Sequence, residues 1–330
     1  MTGWSGKRVL VTGAGGFIGS HLTELLVERG AEVRALVHYN ARNDWGNLEH
    51  VPREVSDAVE VVLGDITDPF GVRRAVEGRE VVFHLAALIG IPYSYVAPQT
   101  YVETNVTGTL NVLEAVRSTG AARMVHTSTS ETYGTARYTP IDELHPLQGQ
   151  SPYSASKIGA DKMAESYFRS FETPVATLRP FNTFGPRQSL RAVIPTVISQ
   201  ALSGSEVRLG SLTPVRDFTY ARDTARAFVA VAESDAAIGQ TLNAGNGKGI
   251  TVGEVASMIL ELIGSDARIE ADDQRVRPEA SEVFELLADA SRLRELTGWA
   301  PEVTLREGLT RTIEWIQGNL ASVKPHLYTV

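Results

Sequence analysis

The chain has 330 residues, 43% of them apolar and 21% charged, which suits a globular protein with one large domain and a smaller partner lobe. A formal net charge of −8 argues against a general nucleic-acid binder, so a phosphate-bearing ligand needs local cations or helix N-termini. Zero cysteines exclude disulfides, thiolate catalysis and cysteine-ligated metal, and no run has signal-peptide or membrane-spanning length, so the expectation is a cytoplasmic protein with no metal and no membrane partner.

Lys7 to Val11 reads as a short strand, and Thr12-Gly-Ala-Gly-Gly-Phe-Ile-Gly19 follows before an amphipathic helix over roughly Phe17 to Arg29. Glycines at 13, 16 and 19 between a strand and a helix allow a tight turn and close approach of a dinucleotide pyrophosphate to the helix N-terminus. Gly13, Gly16, Phe17, Ile18 and Gly19 are therefore candidate cofactor contacts. Glu32 to Val37 is the second strand. Dinucleotide folds often place an acid at its end to hold a ribose diol, but Val37-His38-Tyr39-Asn40 has none, which leaves NAD and NADP both open. His38 or Arg42 could meet a 2′-phosphate, a solvated loop arginine being the more ordinary reading of Arg42, and Asn40 shares that strand end.

Val59 to Leu63 is the third strand, ending in Gly64-Asp-Ile-Thr-Asp68. Asp65 could hydrogen-bond an adenine amine or cap the helix that starts near Pro69, and Ile66 adjoins it. After the strand Glu80 to Leu85, the small Ala86 and Ala87 let backbone run close beneath a cofactor at Leu85–Ala87. His84, inside this apolar run, reads as a core histidine. Pro98 to Ser118 reads as one long helix whose buried Asn105 needs partners and could brace the strand that follows.

That strand, Ala121 to Thr127, leads into Thr127-Ser-Thr-Ser-Glu-Thr-Tyr-Gly134 at its C-terminal end, where open α/β sheets bind ligands. Ser151-Pro152 is an N-cap and first-turn pair, so Tyr153 and Lys157 lie four apart on one helical face. A hydroxyl, a carboxylate, a phenol and an ammonium can thus converge at one strand end. The alternation implies an α/β fold with a doubly wound parallel sheet of Rossmann type. Clean alternation stops near Thr183. Residues 1–182 and about 217–249 are assigned to the dinucleotide-binding domain, and 183–216 with about 250–330 to a smaller α/β substrate lobe.

Thr12-Gly-x-x-Gly-x-x-Gly19, His84-Leu-Ala-Ala87, Tyr153-x-x-x-Lys157 and Arg179-Pro-Phe-Asn182 together resemble the extended short-chain dehydrogenase/reductases, over almost the whole chain and in order. Within them, Thr129-Ser130-Glu131 resembles the catalytic triplet of nucleotide-sugar 4,6-dehydratases. Gln150 to Lys157, Arg179 to Gln188, Arg191 to Thr196 and Arg277 to Val283 look nearer to the N-acetylglucosamine-nucleotide 4,6-dehydratases of legionaminic-acid-type pathways. The resemblance implies a bound NAD or NADP. It makes Tyr153 the base at the sugar C4 hydroxyl, with its phenolate favoured by Lys157, and gives Thr129 the orientation of that oxygen. Glu131 is the base at C5, and Ser130 places a water. Asn182, Arg187, Arg191, Arg216 and Arg277 would hold the nucleotide sugar. Related enzymes pair through the two helices near Pro98 to Ser118 and Pro152 to Phe171, which implies a homodimer. A nucleotide-sugar 4-epimerase, using the same cofactor, tyrosine and lysine, is the alternative. A non-catalytic nucleotide sensor has no use for Tyr153, Lys157 and Glu131 together.

Overall fold

A computed structural model describes residues 3–272 and 283–320. The first half alternates strands and helices: β1 (Arg8–Thr12), α1 (Phe17–Glu28), β2 (Glu32–His38), the short α2 (Arg53–Ser56), β3 (Glu60–Gly64), α3 (Pro69–Val76) and β4 (Val81–His84). Then come α4 (Ile91–Val96), α5 (Pro98–Tyr101), a π-helical turn (Val102–Thr107), α6 (Gly108–Thr119), β5 (Arg123–Thr127), a 3-10 turn (Ser130–Tyr133), α7 (Pro152–Phe171) and β6 (Val175–Pro180). The chain continues through β7 (Asn182–Phe184), α8 (Val193–Ser203), β8 (Glu206–Leu209), β9 (Val215–Tyr220), α9 (Ala221–Glu233) and β10 (Thr241–Ala244). It closes with β11 (Gly249–Thr251), α10 (Val252–Ile263), β12 (Arg268–Ala271), β13 (Glu285–Leu286), α11 (Ser291–Thr297) and α12 (Leu305–Gly318).

Seven strands form one parallel sheet in the order β10-β6-β5-β4-β1-β2-β3, the doubly wound Rossmann arrangement expected from the alternation. Runs such as Val9-Leu-Val11 and Val81-Val-Phe83 are buried on both faces because helices cover both. Leu22, Leu26, Phe228 and Leu293 pack on one face, and Val72, Val112, Val116 and Ala164 on the other. Strand order reverses between β1 and β4. There, at the C-terminal ends, a cleft of about 1420 Å³ opens between this sheet and the second lobe.

The second lobe is built on a small sheet, β11-β9-β13, with β7 also paired to β9, and on the β8–β12 pair. Ile194, Ile198, Val255, Ile259, Leu309 and Ile313 join α8, α10 and α12 into its core. Two boundaries differ from the sequence assignment. All of β9, through Tyr220, is paired within the small sheet, so residues 217–220 go with the second lobe. Leu293 and Trp299 instead pack on the large lobe, with the Trp299 indole N–H donating to the Asp223 carbonyl at 3.0 Å, because these apolar side chains complete the face beside α9.

The expected single helix from Pro98 to Ser118 is interrupted by the π turn, and Asn105 sits within it. Its amide accepts from the Leu88 N–H at 2.9 Å and donates to the Leu88 carbonyl at 3.0 Å and to Ser156 Oγ at 2.9 Å. Asn105 therefore fastens the segment after β4 to α7, and does not brace β5. Extra turns of this kind recur at functional sites. Among the described residues no helix is long and apolar enough to cross a membrane.

Candidate active site

The turn after β1 brings three backbone segments within contact. Gly13 has φ +69, and a Cβ there would lie 2.7 Å from the Ala86 nitrogen; on Gly19 it would lie 2.1 Å from the Gly13 carbonyl oxygen. Only glycine lets the first turn of α1 sit this low over β1 and β4. Helix α1 begins at Gly16 without a side-chain cap, and Gly13, Gly16, Phe17, Ile18 and Gly19 all line the cleft. Uncapped N–H groups and the positive helix end suit a pyrophosphate. The residues present thus fit a dinucleotide.

His38, Asn40, Arg42, Asp65, Ile66, Leu85, Ala86 and Ala87 line the same end of the cleft. His38 Nε2 lies 3.3 Å from Asp65 Oδ2, so an acid does stand beside the end of β2, supplied by β3. Asp65 does not cap α3: its carboxylate accepts from the Thr67 N–H and hydroxyl, both at 2.8 Å, and Asp68 caps that helix. Burial raises the Asp65 carboxyl, but the two Thr67 bonds and His38 outweigh it and hold it below its ordinary value. The Asn40 side chain shapes its own loop, accepting from the Arg42 and Asp44 N–H groups and donating to the Asp44 carbonyl at 2.7 Å. His84 is buried, bonded to Thr12 Oγ1 at 2.8 Å and to Thr109 Oγ1 at 3.0 Å, so it ties strands and helix together beneath the cleft.

Thr129, Glu131, Tyr153 and Lys157 meet at the cleft floor. The Ser151–Ser154 capping box, with Pro152 in the first turn, starts α7 so that Tyr153 and Lys157 point at the end of β5. Thr129 Oγ1 accepts from the Glu131 N–H at 3.2 Å, which opens the 3-10 turn, and Thr129 stands beside Tyr153 and favours its ionised form. That turn puts Thr129 and Glu131 on the cleft wall and buries Ser130 between them, away from the cleft. Ser130, expected to position a water, is buried and does not line the cleft.

Burial pushes the Tyr153 phenol well above its ordinary value, opposed by the Thr129 bond and reinforced by the Glu131 charge. The expected lowering by Lys157 does not prevail: the lysine Nζ donates to the Thr127 carbonyl at 2.7 Å, at the end of β5. Lys157 itself is lowered to about 8 by burial, against the pull of the Asp161 carboxylate.

Asp161 is the residue the sequence reading passed over. It accepts from Ser128 Oγ at 2.7 Å, from Arg179 Nε at 3.1 Å and Nη2 at 2.8 Å, and pairs with His126 Nε2 at 3.2 Å. Its position four residues beyond Lys157, continuing the face of Tyr153, was the available signal.

Asn182, Arg191 and Arg216 line the second-lobe side of the cleft. Asn182 Oδ1 is buried with no hydrogen-bond partner among the described residues, which leaves it for a ligand donor. Arg187 is not in the cleft. At φ +68 its buried guanidinium bonds Glu24 Oε2 at 2.5 Å and His21 Nδ1 at 2.7 Å on α1, so through these bonds it joins the lobes, while its Nη1 has no hydrogen-bond partner among the described residues. Arg277 lies outside the described residues.

A glycine-cradled dinucleotide site above a buried tyrosine and a buried lysine four residues on defines the extended short-chain dehydrogenase/reductase class. Residues 10–312 match the family model described as GDP-mannose 4,6 dehydratase, and the chain belongs to this family of nucleotide-sugar dehydratases and epimerases. It is 33% identical over 317 residues to a UDP-glucose 4-epimerase of Mycolicibacterium smegmatis, covering 94% of this chain and 98% of that one. It is 34% identical over 314 residues to a dTDP-glucose 4,6-dehydratase of Streptomyces griseus, covering 93% of each. Among solved structures, a UDP-N-acetylglucosamine 4-epimerase from Methanobrevibacter ruminantium M1 in complex with UDP-N-acetylmuramic acid superposes with TM-score 0.87 at 29% identity, over 96% of this chain and 99% of that one. A dTDP-glucose 4,6-dehydratase from Streptomyces venezuelae, solved with NAD bound, gives TM-score 0.85 at 29% identity, over 96% and 99%. Dehydratases and epimerases thus stand at equal distance.

Proposed function

We propose that the protein is a nucleotide-sugar 4,6-dehydratase that uses bound NAD and converts an N-acetylglucosamine nucleotide to its 4-keto-6-deoxy product. The observation that carries this reading is Glu131, a carboxylate that lines the cleft together with Thr129 and Tyr153. A 4-epimerase has no use for a base at C5, whereas a dehydratase requires one. The N-acetylglucosamine assignment is supported by the motifs Gln150 to Lys157 and Arg179 to Gln188.

A nicotinamide cofactor held by the Gly13–Gly19 turn would supply a reversible hydride acceptor, taking hydride from C4 and giving it back at C6, and a positive charge that favours the Tyr153 phenolate. Tyr153 removes the proton of the C4 hydroxyl, with Thr129 bonded to the same oxygen, as C4 becomes a ketone. The ketone acidifies C5–H, and Glu131 takes that proton. The C6 hydroxide leaves as water with the proton returned by Glu131. C5 takes a proton from solvent, so with the hydride returned to C6 the net change would be loss of one water. Asn182, Arg191 and Arg216 hold the diphosphate and sugar oxygens.

The test is Glu131→Gln with the purified enzyme and a panel of UDP-, GDP-, CDP- and dTDP-sugars. General-base contributions are commonly ~100- to 10,000-fold. Water loss and deuterium uptake at C5 should fall by that much, while substrate still reduces the bound cofactor. Dehydration and exchange at the wild-type rate would put the epimerase reading ahead, as would a product of unchanged mass with altered stereochemistry.

A further inference from the structure

The polar groups beneath the cleft floor converge on one carboxylate that no step of the reaction uses. Asp161 lies on α7 one turn past Lys157 and two turns past Tyr153, and its side chain is buried on every side. Each of its contacts comes from an element that builds the floor. Ser128 and His126 belong to the end of β5, and Arg179 to β6. Arg179 in turn donates to the Tyr133 hydroxyl at 3.0 Å, which donates to Asn243 on β10 at 2.7 Å. A buried carboxylate with this many donors is ionised, and its charge acts through a poorly screened interior.

We propose that Asp161 is a positioning residue for the tyrosine–lysine pair: its carboxylate fixes the end of β5 through Ser128 and holds the positive charge of Lys157 at the cleft floor. The proposal rests on the reading of Tyr153 as the base at C4. Ser128 is flanked by Thr127, whose carbonyl receives the Lys157 ammonium, and by Thr129, which stands beside Tyr153 on the cleft floor. Locking Ser128 to Asp161 therefore sets both flanking contacts from one point.

The charged and titratable groups around the pair decide how Asp161 acts. His84 from β4 and His126 from β5 are buried and held well towards neutrality by burial. Glu131 on the 3-10 turn, Tyr101 at the end of α5 and Asp161 itself all raise the Tyr153 phenol. Arg179 from β6 neutralises part of Asp161 but does not reach Lys157. Among the described residues Asp161 is the charge that opposes the effect of burial on Lys157, alongside the Thr127 carbonyl that accepts from its ammonium. With its ammonium near about 8, Lys157 is charged at neutral pH and loses its charge on the alkaline side of activity.

The experiment measures reduction of the bound cofactor by substrate as a function of pH in Asp161→Asn and Asp161→Glu. This half-reaction is shared by dehydratase and epimerase, so it does not depend on Glu131. In Asp161→Asn the alkaline limb should move to lower pH by about one unit, the size of effect an adjacent opposite charge has, with kcat reduced at pH 8 far more than KM is changed. Asp161→Glu should restore the limb. A purely structural carboxylate would lower activity equally at all pH values and leave the limb in place, and that result overturns the proposal. If Asp161→Asn precipitates because Arg179 is left unpaired, Asp161→Asn combined with Arg179→Met removes both charges and is read by the same criterion. Tyr153→Phe separates the two levels. If it still reduces cofactor, the base assignment fails; if it is silent while the limb of Asp161→Asn stays put, only the Asp161 proposal fails.

Discussion

Acidification should unlock the two lobes at one histidine. On α1, His21 accepts from Arg187 at Nδ1, 2.7 Å away, and donates from Nε2 to the Pro186 carbonyl at 2.9 Å. Only the neutral ring can do both. Burial, and after it the Arg187 charge, lower His21 from 6.5 to about 3. A base lowered on folding binds fewer protons than the unfolded chain between those values, so its stabilising contribution is complete above pH 6.5 and is lost as pH falls towards 3. At about 1.4 kcal/mol per pH unit, lowering the pH from 6.5 to 5 removes about 2 kcal/mol. The assay is urea unfolding of the wild type and His21→Gln at several pH values from 7.5 to 5. Glutamine retains a donor for Pro186 but cannot titrate. The stability difference between the two should narrow by about 2 kcal/mol across that range. In parallel, the His21 ring should remain neutral at pH 5 by NMR of histidine-labelled protein. A difference that stays constant with pH, or a His21 that titrates near 6.5, refutes the reasoning.

Arg187→Ala breaks a buried ion pair with Glu24, a loss of about 3 kcal/mol or more, so the thermal midpoint should fall while KM for the nucleotide sugar stays near wild type. A raised KM with unchanged stability would return Arg187 to the substrate site. Val102 and Phe171, large apolar side chains on the π turn and at the end of α7, are about half exposed, and the expected solution state is a homodimer that covers them. Light scattering that gives a monomer at micromolar concentration counts against it.

The sequence carried the fold because its signals were local and consistent with one another. Apolar runs ended in glycine turns, and the glycines at 13, 16 and 19 meet backbone that no side chain could share. The Ser151-Pro152 start set the phase of α7, and with it the shared face of Tyr153 and Lys157. What escaped depended on direction, which linear spacing does not encode. Thr129, Ser130 and Glu131 read as one triplet, yet a single 3-10 turn sends the middle side chain inward. Arg187 sits in an arginine-rich stretch facing a phosphate site, but its left-handed backbone aims the guanidinium at Glu24 and His21. Asn105 looked like a brace for the neighbouring strand. The π turn rotates it by enough to reach Leu88 and Ser156 instead.

The electrostatics of the floor also explain why the buried tyrosine suits the task assigned to it. Burial raises the Tyr153 phenol and lowers the Lys157 ammonium, so both tend towards their neutral forms. A phenol with a high proton affinity is a strong acceptor once ionised, but ionising it costs free energy that the closed pair alone does not supply. The Thr129 hydrogen bond offsets part of that cost, and Glu131 adds to it, so the balance turns on positive charge. Lys157 contributes such charge only below about 8, and Asp161 is what opposes its loss. On the proposed reading the remainder would come with an oxidised nicotinamide, and Tyr153 would act as a base when cofactor and lysine charge are present together, which would tie the first proton transfer to the oxidation it must accompany. It follows that Lys157→Met should impair cofactor reduction at every pH and abolish the alkaline limb, because no lysine charge is left to titrate.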